Sequence, residues 1–209
     1  MECLKKPIWN SYTREELMNL EVDTLNKEIY TKIIRNWDNV AKPIGGMGRF
    51  ETLTARIGAI QGTDDFTISR KAVVIMCADN GIVEEGICQS EQEVTFAVAE
   101  AMGKKKASVC RMAEMIGADT IPVDIGINRK EFIDGVIDKK IRRGTRNFIK
   151  EPAMKEKEAV LAIATGIDIV RSCKESGYQI LATGELGMGN TTTSSAVATA
   201  LLGCKVSEV

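Results

Sequence analysis

The feature that most constrains the fold is an unbroken apolar run, AVVIMCA, at Ala72–Ala78. Continuous runs of this length are typical of strands that are buried on both faces, as in parallel sheets. Two shorter runs, at Asp119–Val123 and Tyr178–Thr183, predict a second and a third strand. Pro122 inside the second run indicates an edge or irregular position, because proline donates no ladder hydrogen bond.

Helical periodicity occupies the intervals between these strands. It predicts helices at Phe50–Ile60, at Val94–Ile116 with a break at Gly103, at Lys155–Ser176 before Gly177, and through Leu202. The alternation predicts an α/β fold with a mostly parallel, Rossmann-like, doubly wound sheet, flanking helices and right-handed crossovers. Residues 128–150 are charged and mixed, and their pattern gives no placement.

The N-terminal region follows a different pattern. Apolar residues recur at helix-like spacing across Thr13–Trp37, which predicts one helix that could cap the domain or pack on a partner subunit of a homodimer. We therefore predict a helical segment at residues 1–40 and an α/β domain at residues 41–209. The loop Lys42–Glu51, KPIGGMGRFE, opens the next helix. Its glycines expose backbone amides, although a plain turn explains the pattern equally well.

The overall charge excludes two classes of partner. The formal net charge is −1, so no strong field would gather nucleic acid or an anionic membrane. The basic run Lys104–Lys106 predicts a solvated helix face, with phosphate binding as the alternative.

No apolar run is long enough to cross a bilayer, and the first ten residues lack the apolar core of a signal peptide. A cytoplasmic protein is predicted.

The cysteine and histidine content limits the chemistry. Six cysteines form no CxxC pair and histidine is absent, which argues against a structural zinc site. Cys77 and Cys110 stand among apolar residues and are predicted to be small core side chains. No metal and no cofactor is predicted. Without histidine, any proton transfer must use a carboxylate, lysine, cysteine or tyrosine.

Each predicted strand ends in a polar, glycine-bearing turn: Asp79-Asn80-Gly81, Asp124-Ile125-Gly126 and Gly184–Asn190. In open α/β sheets, ligands bind outside the carboxyl ends of the strands. The third turn carries three glycines and runs into Asn190, Thr191 and Thr192, which are suited to begin a helix. Exposed amides at such a helix N-terminus attract phosphate, and a glycine-rich connector is the alternative. No GK[ST] follows, so the sequence is not a Walker A loop.

One acidic residue stands inside this third turn. Glu185 would be repelled by a bound anion. Its position therefore suggests a contact with a sugar hydroxyl or with a developing cation. A carboxylate that holds the loop by accepting backbone amides is equally compatible with the sequence.

Six segments together resemble the nicotinate-nucleotide:5,6-dimethylbenzimidazole phosphoribosyltransferases. GELGMGNTT at Gly184–Thr192 is similar to the family's signature loop, and KPIGGMGRFE to its KP-x-G-S-L-G-R-L-E element. The other four segments match in order: ADNGIVEEGICQSEQEVT at 78–95, VDIGI at 123–127, GTRNF at 144–148 and PAM at 152–154. The resemblance covers nearly all of residues 41–203.

The resemblance implies transfer of ribose 5-phosphate from nicotinate mononucleotide to 5,6-dimethylbenzimidazole in cobalamin lower-ligand synthesis. The substrates are small molecules. By motif, the implied nucleotide-binding residues are Gly184, Leu186, Gly187, Met188, Gly189, Asn190 and Thr191, with Glu185 near the ribose as a supporting catalytic residue. The implied acceptor slot comprises Ser90, Val94 and Val98.

Three departures from the family pattern bear on the function. A glutamine can stand in relatives where Val98 stands here, and Asn80 occupies the position of the histidine in ADHG. The family's general-base glutamate lies in a C-terminal segment that has no counterpart in these 209 residues, so the sheet is expected to be incomplete. The chain is predicted to be inactive alone, with weak or absent donor binding. A truncated, non-catalytic homologue that binds nucleotide or serves as a structural subunit is the alternative, and an unrelated nucleotide-binding α/β protein is a third.

Overall fold

The computed structural model describes residues 12–209, which form two compact units. The smaller unit is Asn19–Ser69, and the larger combines the described residues up to Met18 with Arg70–Val209. Residue 40, the predicted domain boundary, falls within the smaller unit, and the division at that residue stays a prediction. The first eleven residues, which include Cys3 and the segment tested for a signal peptide, lie outside the described residues.

The larger unit is built on a parallel sheet. Among the described residues the sheet has four strands in the order β3-β2-β1-β4. The strands are β1 Lys71–Ala78, β2 Ala118–Gly126, β3 Ile137–Asp138 and β4 Ile180–Leu186. β1 pairs in parallel with β2 on one side and with β4 on the other. The predicted α/β fold with a mostly parallel sheet is confirmed.

Helices of the larger unit flank both faces of this sheet. The helices of the described chain are α1 Arg14–Met18, α2 Lys27–Asp38, α3 Arg49–Gln61, α4 Glu93–Gly103, α5 Ser108–Met115, α6 Glu156–Glu175 and α7 Asn190–Leu202, with 3-10 helices at Gly81–Glu85 and Val206–Glu208. One core contains Ile75 and Cys77 of β1 with residues of α4 and α5. The opposite core contains Ala72 and Val74 of β1 with Ile169 of α6. β1 is therefore buried on both faces, which explains its unbroken apolar sequence.

The predicted helix at Thr13–Trp37 is wrong in its middle, where residues 19–26 are not helical. β-branched Val22 and Thr24, together with Asp23, have low helix propensity. The Asn26 side chain then accepts a hydrogen bond from Ile29 N at 3.1 Å and caps the start of α2.

Proline in β2 is accommodated by a gap in pairing. β2 lies inside the sheet, so the expectation of an edge strand is wrong for the strand as a whole. β3, however, pairs only with Val123 and Asp124. At Pro122, one side of β2 therefore carries no partner strand, and a residue without an amide proton is tolerated there.

The basic run after α4 fastens the helix end to the sheet. Lys105 Nζ donates to the carbonyl and hydroxyl oxygens of Thr120 at 2.7 and 2.8 Å. Lys104 forms an ion pair with Glu100 at 3.1 Å. All three lysines are exposed, as a solvated face predicts, and the ammonium of Lys105 in addition bonds two oxygens of Thr120 in β2.

The smaller unit holds its glycine-rich loop through one buried ion pair. Lys42 Nζ lies 2.7 Å from Glu51 Oε1, and the two side chains are only 12% and 7% exposed. The same carboxylate accepts the amide of Met47 at 3.0 Å. One loop amide is thus already satisfied from within the loop, which agrees with the interpretation of KPIGGMGRFE as a turn that opens a helix.

Candidate functional site

The carboxyl ends of β2, β1 and β4 lie side by side because these strands are neighbours in the sheet. The chain leaves β1 for β2 on one side and later returns to β4 on the other side of β1. The strand order therefore reverses between β1 and β4. Open α/β sheets bind ligands at such a reversal, outside the carboxyl ends of the strands.

The Gly184–Thr192 segment lies at this reversal. Gly184–Leu186 are the last residues of β4, and Asn190–Thr192 form the first turn of α7. The loop proper is only Gly187–Gly189. β4 thus extends three residues beyond the predicted strand end, because Gly184 to Leu186 stay in register with Ile75 to Cys77 of β1.

Two glycines in the loop are required by contacts within the chain. A Cβ atom on Gly187 would lie 1.9 Å from the carbonyl oxygen of Ala78. Gly189 has φ +80°, and a Cβ atom there would meet methyl groups of Ile82 and Val83 at 3.0 Å. The family resemblance implies that Gly187 and Gly189 bind the nucleotide. The structure gives each of them a packing reason that is independent of any ligand.

Both backbone polar groups of Met188, the residue between these glycines, are hydrogen-bonded to side chains. Met188 N donates to Thr95 Oγ1 at 3.1 Å, and the Met188 carbonyl oxygen accepts from Asn80 Nδ2 at 3.0 Å. Asn80 Oδ1 in turn accepts from the hydroxyl of Thr193 at 2.9 Å. These contacts join the ends of β1 and β4 to α4 and α7.

The N-terminus of α7 offers fewer amides than the sequence suggested. Asn190 N donates to Gly187 O at 3.2 Å, and Thr193 N to Gly189 O at 3.1 Å. Thr191 N is bonded to the side-chain oxygen of Asn190 at 2.7 Å. Thr191 and Thr192 are nevertheless exposed, and their hydroxyls lie at the positive end of a 13-residue helix. An anion would therefore meet threonine side chains together with the helix dipole.

Glu185 lies on the exposed surface of β4. Its Oε1 accepts a hydrogen bond from the side-chain amide of Asn190. The carboxylate therefore orients Asn190, whose own oxygen binds the amide of Thr191. One alternative was that Glu185 accepts backbone amides of the loop, whereas its partner is the side-chain amide of Asn190. A contact between Glu185 and ribose stays a prediction.

Two of the three residues of the implied acceptor slot lie on one helix, and the third lies in the loop before it. Val94 and Val98 stand one turn apart on α4, the helix that carries Thr95. Val98 packs against the same core cluster as Leu186 of β4. Ser90 is exposed in the loop before α4, and no hydrogen bond among residues 12–209 joins it to the loop Gly187–Gly189. Their role as a slot stays a prediction.

A buried carboxylate lies on the β2 side of the same edge. Asp79 is 2% exposed, and its Oδ2 accepts from Asn128 N at 2.7 Å. Its Oδ1 has no hydrogen-bond partner within the described chain. Burial raises the pKa of this carboxyl. A polar cavity of about 160 Å³ adjoins it, lined by Gln92, Glu93, Asn128 and Arg129.

The turn that carries Asp79 and Asn80 is hydrogen-bonded to the GTRNF segment, residues 144–148. Gly81 N donates to Thr145 Oγ1 at 3.0 Å, and Thr145 N donates to Asp79 O at 2.9 Å. Arg146 binds both carboxylate oxygens of Glu158, at 2.7 and 3.0 Å. Hydrogen bonding from Arg146 lowers the pKa of Glu158 to about 2.

Sequence reasoning missed the individual roles of Thr95, Thr145 and Asn128. Thr95 and Thr145 stand inside motifs that matched the family, so motif membership was the signal that could have singled them out. Asn128 contributes through its backbone amide, which no residue pattern reveals.

Two classes of feature are absent from the described residues. Residues 12–209 hold no group of three or more histidine, cysteine, aspartate or glutamate side chains that could bind a metal ion. Within the same range, no helix has the length and apolar character needed to cross a membrane.

Comparison with known proteins identifies the relatives of this chain. The nicotinate-nucleotide–dimethylbenzimidazole phosphoribosyltransferase of Clostridium perfringens is 41% identical over 188 residues, which are 90% of this chain and 52% of the relative. The protein of the same name from Ruminiclostridium cellulolyticum is 43% identical over 94% of this chain and 56% of its own length. The chain spans about half the length of these relatives.

A solved structure gives the same result for the fold. The crystal structure of nicotinate-nucleotide-dimethylbenzimidazole phosphoribosyltransferase from Thermus thermophilus superposes with a TM-score of 0.80 at 31% identity. The match covers 86% of this chain and 55% of that one. A family model described as Phosphoribosyltransferase matches residues 22–209. The chain belongs to the phosphoribosyltransferase family.

Proposed function

We propose that this chain carries the nucleotide-holding part of an enzyme that transfers ribose 5-phosphate from nicotinate mononucleotide to 5,6-dimethylbenzimidazole. The products would be α-ribazole 5′-phosphate and nicotinate. The observation that carries the proposal is the Gly184–Thr192 segment, which lies at the strand-order reversal with α7 beginning beside β1. The names of the relatives supply the substrate pair.

The chemistry asks for a phosphate site, an acceptor slot and a base. A benzimidazole nitrogen attacks the anomeric carbon, the bond from that carbon to the pyridinium nitrogen breaks, and the acceptor loses its ring N–H proton. In our proposal the 5′-phosphate binds at the first turn of α7, at Thr191 and Thr192. Glu185, exposed at the end of β4, lies on the ribose side and stabilises positive charge that develops on the sugar.

The acceptor slot is proposed along the face of α4 that carries Val94 and Val98. These side chains are one helical turn apart and apolar, which suits a flat aromatic base. Val98 stands where relatives can have glutamine, so the preferred base is expected to differ from theirs.

A second candidate is nucleotide binding without transfer. It is favoured by the state of Glu185, whose carboxylate is engaged by Asn190 in the same segment. Nicotinate mononucleotide that binds at the loop but is never turned over, even by a version of the chain extended through the C-terminal region of the family, would support this candidate. Turnover by the extended version would exclude it.

The variant Thr192→Glu tests the phosphate site without disturbing the packing of the loop. Thr192 is exposed at the third residue of α7, where glutamate is favourable for the helix. The new charge should repel the phosphate and weaken binding of nicotinate mononucleotide by at least about tenfold, which corresponds to about 1.4 kcal/mol. Titration calorimetry or amide NMR measures this affinity.

Ala200→Glu is the matched control for this variant. It adds the same charge on an exposed position of the same helix, eight residues further along, or about 12 Å away. We expect Ala200→Glu to bind the nucleotide as the unmodified chain does. Equal weakening in both variants would indicate general charge repulsion, and no weakening in Thr192→Glu would remove α7 from the phosphate site.

A further inference from the structure

The conformation of the loop Gly187–Gly189 depends on one amide side chain. Asn80 Nδ2 donates to the Met188 carbonyl at 3.0 Å, and Asn80 Oδ1 accepts from the Thr193 hydroxyl at 2.9 Å. One planar group therefore bonds the loop and the first turn of α7 simultaneously. Asn80 itself is anchored at the end of β1, and Gln92 Nε2 contacts its carbonyl oxygen at 3.4 Å.

The two bonds have opposite polarity. The Met188 carbonyl is an obligate acceptor, so the group facing it must donate. The Thr193 hydroxyl can donate or accept, and in this structure it donates to Asn80 Oδ1. A neutral amide supplies a donor and an acceptor on adjacent atoms, which a carboxylate cannot do because it only accepts.

We propose that Asn80 is the positioning residue that fixes the Met188 peptide and the start of α7 for phosphate binding, a role that rests on the proposed nucleotide function. Thr95 holds the N–H of the same residue, Met188, and Asn80 holds its carbonyl, so the peptide groups on both sides of Met188 are bonded. With both ends bonded, Gly189 is kept in its left-handed conformation and the first turn of α7 keeps its orientation. Asn80 acts through the loop and is not itself a catalytic residue.

The electrostatic surroundings of Asn80 make the proposal testable by pH. The elements that meet Asn80 carry charges of both signs: Asp79 in its own turn, Glu84 and Glu85 in the 3-10 helix, Glu93 in α4, Glu185 in β4, and Arg142, Arg143 and Arg146 in the loop after β3. A carboxyl group introduced at this half-buried position would have a pKa above the usual value of about 3.9 for aspartate. Its neutral form would be favoured as the pH falls.

The experiment is hydrogen exchange of the amides of Met188, Asn190 and Thr193 in Asn80→Asp. At pH 7.5 the introduced carboxylate faces the Met188 carbonyl, and protection of these amides should fall by at least about tenfold. Near pH 4.5 the protonated carboxyl donates to that carbonyl again, and protection relative to unstructured peptide should recover. Asn80→Ala removes both bonds, so the three amides should exchange faster than in the parent at both pH values.

Asn19→Asp is the control, since it makes the same chemical change at an exposed residue for which the described chain shows no side-chain hydrogen bond. It should leave protection of the three loop amides unchanged. If Asn80→Asp stays as protected as the parent at pH 7.5, or shows no recovery at low pH, the proposal is overturned. Should Asn80→Asp fold poorly, Thr193→Val removes the second bond alone and should lower protection only of the amide at residue 193.

Affinity for nicotinate mononucleotide distinguishes the positioning role of Asn80 from the proposed nucleotide function. The proposal expects Asn80→Asp to bind the nucleotide at least about tenfold more weakly at pH 7.5 and to regain affinity as the pH falls. Loss of loop protection without any change in affinity would overturn the positioning role. Absence of nucleotide binding by the parent chain would overturn the proposed function, while the exchange measurement would still decide whether Asn80 fixes the loop.

Discussion

Gly187→Val is expected to destabilise the larger unit by about 3 kcal/mol, at the upper end of what overpacking a buried site costs. A Cβ atom at this position would lie 1.9 Å from the carbonyl oxygen of Ala78. The Cα atom that would carry this Cβ and the Ala78 carbonyl are both backbone at the ends of adjacent strands, so no flexible side chain can move aside. For a unit of this size the change corresponds to a fall in Tm of roughly 6–12 °C, measured by calorimetry or circular dichroism.

Gly166→Val is the matched control, because a Cβ atom at Gly166 in α6 would meet nothing within 4 Å. It should change the unfolding free energy by less than about 1 kcal/mol, given the small difference in helix propensity between glycine and valine. A Gly187→Val protein as stable as this control would contradict the packing between the loop and Ala78. A stable variant that had lost nucleotide binding would instead indicate that Gly187 makes room for phosphate, in keeping with its implied place among the nucleotide-binding residues.

The second large effect concerns catalysis. The 209-residue chain should form α-ribazole 5′-phosphate at least about 10²- to 10⁴-fold more slowly than a version extended through the C-terminal region of the family, which is the range that general-base catalysis contributes. The resemblance assigns the general base to that region. In the segment Gly184–Thr192 the acidic residue is Glu185. Its side chain is hydrogen-bonded to Asn190 and lies on the proposed ribose side. From there it would not reach the acceptor N–H on the opposite side of the anomeric carbon.

The measurement is product formation from nicotinate mononucleotide and dimethylbenzimidazole, with the Clostridium perfringens relative as the positive control. The extended version should be active and the 209-residue chain should not. Comparable rates would show that these residues contain the catalytic base. In that case Glu185→Gln would be the decisive variant, since it removes the carboxylate without changing its shape.

The sequence predicted the layers of the fold because burial determines them directly. β1 must be apolar on both faces, and its run of seven apolar residues shows this. Gly177, with φ +83°, ends α6 as predicted, because a left-handed residue after a helix is usually glycine. Strand ends were less predictable, since β4 continues through Gly184 only because β1 lies beside it.

The contacts within the candidate site were not predictable from local pattern. Asn80 reaches Met188 and Thr193, which are more than 100 residues away along the chain. Gly187 looked like a residue that makes room for a ligand, whereas its position against Ala78 makes room for the chain itself. The sequence thus indicated which turns meet at the edge of the sheet. How they hold one another depends on strand order and register, which only the folded structure supplies.

Amide NMR of the chain titrated with nicotinate mononucleotide tests the central claim most directly. Binding is expected to be weak, so the titration should reach about 10 mM, well above a Kd near 1 mM. We expect progressive shifts confined to residues 187–193 and the turn after β1, and inorganic phosphate should shift the first turn of α7 alone. Shifts that centre elsewhere, or none at the highest concentration, would contradict the assignment of this loop as the nucleotide site.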